Sequence, residues 1–200
     1  GDLYLQLGEP VHASDAFQRA AVLAPEGPAR SQSRLRAAQV ALETGRLDEA
    51  EDMLDDLRAE PLDAETQVQV ALTFSALAQE RGDWQAGLDA VSGIALDELG
   101  PEYQALLVDA MGICLRSMGE VQRAREAYEE LVLRWPDHPE VDATVTFGMA
   151  EVEASGDDID AAVRRYEAFI SRSPDRFRQG QALLRMGQTY ENHGEIDRAM

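Results

Sequence analysis

The chain has 200 residues, a hydrophobic fraction of 44% and a formal net charge of −20. No apolar run approaches the roughly 18–20 residues needed to span a bilayer. The acid excess repels phosphate backbones and anionic lipid heads, which excludes nucleic acid, membrane surfaces and direct membrane insertion.

All 18 bases are arginine, Asn192 is the single asparagine, and there are only five isoleucines. Lys, Asn and Ile have AT-rich codons, so their scarcity points to a high-GC bacterial genome; a salt-adapted organism would also fit an acidic chain without lysine. Abundant Ala, Leu and Glu with few β-branched runs favour helix. Cys114 is the one cysteine, so no internal disulfide forms and the compartment is not revealed: bacterial cytoplasm and periplasm or cell envelope both remain open.

In chain order, residues 1–28 begin inside a helix that Gly8 ends. A second helix follows with Ala13, Phe17 and Ala20 on one stripe, and Pro25 stops it. Residues 29–61 repeat this plan with Gly45, Ala50, Leu54, Leu57 and Pro61, and residues 62–100 with Gly82, Gly87, Val91 and Ile94. Residues 101–136 open with Pro101 and Glu102 in a first turn, then carry Gly119, Ala124, Tyr128, Leu131 and Pro136. Residues 137–174 start at PDHPE, with Asp137 as a candidate cap and Glu140 three residues on, as in a capping box. Here Gly156 holds the glycine position, and Ala162, Tyr166, Phe169 and Pro174 each come one residue late, which places an insertion in GDDIDAA (156–162). Residues 175–200 hold MGQTY (186–190), Gly194 and Ala199.

The glycines recur every 37 residues from Gly8 to Gly156, and Gly194 follows after 38. Each is suited to a left-handed C-cap ending a helix A. The small, large and apolar positions after it fall at i, i+4 and i+7 of a helix B. Seven residues before each glycine stands a small residue, Gly1, Ala38, Ser75, Gly112 and Gly187, with Gly148 nearest in the fifth copy. Small residues at both places allow close helix approach. The unit is helix A, tight turn, helix B, loop.

At this point the chain resembles the tetratricopeptide repeat (TPR) family, whose 34-residue period carries L-G-x2-Y, A-x3-F and P. MGQTY (186–190), AREAY with RWP (124–128, 134–136) and AAVRRYEAFISRSP (161–174) carry the resemblance, in a bacterial type with repeats of about 37 residues. The second and third copies lack the glycine and aromatic of helix A. The likeness implies an all-α fold, a right-handed superhelical solenoid over 1–200 as a single array, with the first and last repeats incomplete. Linkers such as RWPDHPEVDA are similar to those of bacterial envelope TPR proteins.

The resemblance also implies where a partner sits. Helix A positions line the concave face of such a superhelix. Carried over, these are Gln32, Leu35, Gln39 and Leu42; Gln69, Leu72, Ala76 and Gln79; Leu106, Asp109, Ile113 and Arg116; and Met149, Leu184 and Gln188. Amides and aliphatics dominate, while acids concentrate in B helices and loops, so the expected groove is nearly neutral and suits an extended or helical segment of a protein or peptide. A lysine- and asparagine-rich carboxylate clamp is absent; Arg116 and Arg185 are the remaining candidates to hold a carboxylate.

Chemistry is not expected. The histidines, His12, His138 and His193, lie in separate repeats, and a solenoid joins only neighbours. Acid clusters at 49–56 and 156–160 lack EF-hand spacing and suit helix starts. No phosphate-binding loop or C-x2-C occurs, and Cys114, Trp84 and Trp135 read as packing residues. The expectation is therefore a non-catalytic scaffold without cofactor or metal. The alternative is a structural or regulatory segment of a larger enzyme or cell-envelope complex. Gly1 and Met200 both fall inside a repeat, which suggests a piece of a longer chain with apolar end faces and end-to-end self-association.

Overall fold

The computed structural model describes residues 1–156 and 158–195; Asp157 and residues 196–200, including the expected small residue Ala199, lie outside the described set. Among the described residues, all regular structure is helical. The helices fall into two compact units, Gly1–Ala95 and Leu96–Met200.

In the first unit run α1 (Asp2–Gln6), α2 (Pro10–Leu23), α3 (Pro28–Glu43), α4 (Leu47–Arg58), α5 (Ala64–Glu80) and α6 (Trp84–Ser92). The second opens with a short 3-10 turn (Leu96–Glu98) and continues with α7 (Pro101–Ser117), α8 (Val121–Arg134), α9 (Pro139–Ser155), α10 (Ile159–Arg172) and α11 (Arg176–Asn192). Starts follow local chemistry. Proline opens α2, α3, α7 and α9, where its missing N–H is no loss. Asp63, Asp83, Asp158 and Asp175 cap α5, α6, α10 and α11 by accepting backbone N–H bonds. The expected box at PDHPE does not form: His138, not Asp137, precedes α9, and no side chain caps it.

The A-to-B turns are Schellman closures. Backbone N–H groups of Glu9, Arg46, Asp83 and Glu120 donate to the carbonyls of Tyr4, Ala41, Ala78 and Leu115, each at 2.8 Å. Asp158 donates to Glu153 at 3.2 Å and Glu195 to Tyr190 at 2.9 Å. Gly8, Gly45, Gly82, Gly119 and Gly194 have φ of 70, 74, 71, 79 and 76°, a region only glycine enters without strain. Gly156 does not: its φ is −105°. The turn bonds therefore correct the sequence register. Between the fourth and fifth turns every matched position moves by 38, and both the A start (Pro101 to Pro139) and the B start (Val121 to Ile159) share that step. The extra residue lies before α9, in the stretch 121–138, and not in GDDIDAA.

The core follows the stripe. Ala13, Ala50, Gly87, Ala124 and Ala162 are buried, as are Phe17, Leu54, Val91, Tyr128 and Tyr166. Each large side chain buried this way contributes about 1.5–3 kcal/mol. Leu57, Leu131 and Phe169 complete it, but Ala20 is exposed and α2 buries Ala21 instead. Ile94 is only half-buried because α6 stops at Ser92, where Ser-Gly interrupts the helix before any proline. In the first unit one cluster joins α3, α4 and α5 through Leu35, Ala38, Leu54, Leu57, Val70 and Leu77. In the second, Ala150, Ala162, Tyr166, Phe169 and Ala182 join α9, α10 and α11.

Helix A and helix B sizes compensate. Gly1 faces the ring of Phe17, and Gly112 and Gly148 face the ring of Tyr128, so closely that a methyl at any of them would run into the aromatic. Where helix A carries Ala38 or Ser75, helix B carries the smaller Leu54 or Val91. In the second and third copies, which lack the helix A glycine, the smaller helix B side chain is thus matched by less room.

Candidate functional site

The expected A-helix residues lie on five helices and differ in exposure. Gln32, Leu106 and Leu184 are exposed. Gln39, Leu42, Gln69, Leu72, Ala76, Gln79, Asp109, Ile113, Arg116 and Gln188 are half-buried, and Leu35 and Met149 are buried in the packing between helices.

In the first unit, four of them gather. Gln32, Leu35, Gln39 and Gln69 line one groove of about 720 Å³ with Asp2, Phe17, Ala29, Ser33 and Arg36. Its walls are α3 and α5 with α1 and α2 closing one side. The amides are held in place: Gln39 donates to Thr73 Oγ1 at 3.4 Å and accepts from Arg36 at 3.3 Å. Further along α5, Gln79 donates to Ser75 at 3.3 Å. One acid and one arginine leave this groove close to neutral, with amide groups able to meet a peptide backbone.

The second unit differs from the expected neutral face. Arg116 of α7 reaches Glu151 of α9 at 3.2 Å, and Arg185 of α11 approaches the same carboxylate at 3.7 Å. The two arginines do hold a carboxylate, one supplied by this chain. Tyr166 donates to Glu151 at 2.6 Å, and Tyr128 donates to Asp109 at 3.0 Å. Desolvation pushes the Asp109 carboxyl above its ordinary range, against the pull of the Tyr128 hydroxyl and the Arg116 charge. Burial, together with the adjacent carboxylates, drives both phenols far above theirs. A charged side chain facing inward here is therefore tied into a network rather than free to meet a ligand. Glu153, also buried, accepts from Arg165 at 2.7 Å.

A second set of residues escaped the sequence reading. Position N3 or N4 of helix A clasps the linker that precedes it. Arg30 donates to Ala24 O at 2.9 Å and Gln67 to Leu62 O at 2.8 Å. Gln104 donates to both Leu96 O and Leu99 O at 2.9 Å, and Gln179 to Ser173 O at 2.7 Å. The corrected register aligns these four with Asp142, which has no proton to donate. The spacing of 37 and 38 was the available signal, but a glutamine at a helix start reads as a solvated residue until its partner carbonyl is known. Gln104 is buried, and its Oε1 accepts from Trp135 Nε1 at 3.1 Å, so both its N–H groups and its oxygen are engaged within the second unit.

Comparisons with known proteins agree with this architecture. Two family models described as "Tetratricopeptide repeat" match residues 1–64 and 109–138. No curated protein matches the sequence significantly. Among solved structures, a tetratricopeptide repeat protein from Parabacteroides merdae aligns with TM-score 0.69 at 16% identity, over 98% of this chain and 72% of that one. TTC0263, a thermophilic TPR protein in Thermus thermophilus, aligns with TM-score 0.63 at 22% identity, over 92% of this chain and 94% of that one. BtubC from P. vanneervenii aligns with TM-score 0.68 at 17% identity, over 95% and 85%. At these identities the structural alignments show the fold alone. With helix pairs closed by the same turn every 37 or 38 residues and the family matched on both units, the chain is a tetratricopeptide repeat protein.

Proposed function

We propose that this protein is a non-catalytic scaffold that binds an extended or helical segment of another protein along the α3–α5 face. The repeats themselves are of the kind that mediates protein–protein interaction. The observation that carries the finer reading is the groove of about 720 Å³, where Gln32, Gln39 and Gln69 present amides around an apolar floor of Phe17 and Leu35. Amides both donate and accept, so they suit main-chain groups of a segment with few charges. In the second unit the inward charges are already paired, which makes that face a poorer receptor for a charged tail.

The test is a peptide array probed with the whole chain and with a Gln32→Ala/Gln39→Ala/Gln69→Ala variant. Peptides bound by the first and lost by the second, with unchanged circular dichroism, support the reading. Equal binding by both removes the groove from consideration. Self-association is favoured by a separate observation. Leu3 on α1, Leu7 just after it and Val11 on α2, and Leu183 and Leu184 on α11, are more than half exposed. Light scattering across a concentration series checks it; a constant monomer mass rejects it.

A further inference from the structure

The corrected register pairs each residue of the fourth repeat with the residue 38 places on in the fifth, and one pair differs in kind. In the fourth repeat, Trp135 at the end of α8 folds its indole against the start of α7 and donates from Nε1 to Gln104 Oε1 at 3.1 Å. In the fifth, Ser173 stands at the tryptophan position and Asp142 at the glutamine position. The corresponding place, between the start of α9 and the end of α10, is a cavity of about 560 Å³. Phe169, Ala143 and Thr146 line it, with Ser173 and Asp142 among the polar groups. Two ion pairs frame the rim, Arg172 to Asp142 at 3.4 Å and Arg178 to Glu140 at 3.2 Å. They neutralise most of the local charge, so the cavity selects against a strongly charged occupant.

We propose that this cavity receives the indole ring of a tryptophan from a partner polypeptide segment. The ring takes the place that Trp135 fills one repeat earlier, lies against Phe169 and Ala143, and donates its N–H to the Asp142 carboxylate. Three features support this occupant. The cavity volume lies within the range of small-ligand sites. An acceptor for an indole N–H stands at the same position, a carboxylate in place of an amide oxygen. The same chain already binds an indole in the equivalent cleft. The site is separate from the α3–α5 groove, and its test does not depend on that groove.

The probe is the tripeptide acetyl-Gly-Trp-Gly-amide, followed by ligand-observed NMR against the whole chain. Saturable binding at one site is expected. Ser173→Trp supplies the ring from within and should abolish binding while the chain stays helical and melts no lower than the parent. Asp142→Ala removes the acceptor and should weaken binding about tenfold, the effect of losing one hydrogen bond to a charged group. It keeps the test decisive should Ser173→Trp fail to fold. Absence of saturable binding overturns the proposal. So does equal binding of acetyl-Gly-Phe-Gly-amide, or full binding retained in either variant. Binding of free indole as tight as that of the tripeptide overturns the assignment to a polypeptide.

Discussion

At the scale of single residues, fit between glycine and aromatic ring decides the most. Tyr128 lies against Gly112 of its own repeat and Gly148 of the next, so one side chain welds two helix pairs. Gly148→Ala is expected to overpack that contact and cost about 1–3 kcal/mol by urea unfolding. Ala124→Leu, at a fully buried stripe position, should cost about the same, while replacing exposed Glu129 should stay within about ±0.5 kcal/mol. Equal effects at Ala124 and Glu129 would contradict the packing. Asp109 adds a pH-dependent term. Its folded carboxyl is raised by desolvation, so its contribution is most favourable at acid pH and is lost as pH rises through the folded value. Asp109→Asn should therefore stabilise the chain at neutral pH relative to the parent, and the difference should shrink as pH falls towards the ordinary aspartate value of 3.8. Paired melts at two pH values check this; a difference that grows on acidification contradicts it.

At the scale of elements, the helices and their turns were readable because a repeated glycine has one physical reason to recur. The stripe of Ala50, Leu54 and Leu57 was readable for the same kind of reason, since burial imposes a period. What escaped was long-range in partner though local in residue. Gly156 satisfied the 37-residue count, yet its φ of −105° shows that the count was matched by coincidence. Sequence spacing alone does not distinguish an insertion before α9 from one after it; only the turn bonds do. The inward list mixed exposed and half-buried groove residues with the buried Leu35 on the groove floor and with Met149 in the packing between helices, because the two faces of a packed A helix share apolar character. The glutamine clasps gave no compositional mark at all. Gln104→Ala should cost about 1–3 kcal/mol, since it leaves buried carbonyls and the Trp135 N–H without a partner. Gln67→Ala, on an exposed clasp, should stay within about 0.5 kcal/mol. Comparable losses at the two positions would argue against burial as the source of the difference.

At the scale of the whole molecule, charge opposes compaction. The net charge of −20 produces self-repulsion, while pairs such as Arg81 with Glu51 at 2.6 Å and Arg134 with Asp97 at 2.6 Å act against it. Most of these pairs reach solvent, where each is worth little. Repulsion therefore wins, and added sodium chloride should raise the melting temperature as the screening length shortens. A fall in melting temperature with salt would show that the ion pairs dominate.

Trp84 lies in the first compact unit and Trp135 in the second, each half-buried, and the chain has no other tryptophan. Each unit therefore carries its own fluorophore. Replacing either with phenylalanine leaves an emission signal from one half alone, and superimposing the two denaturation curves reveals whether the halves melt as one body or in succession.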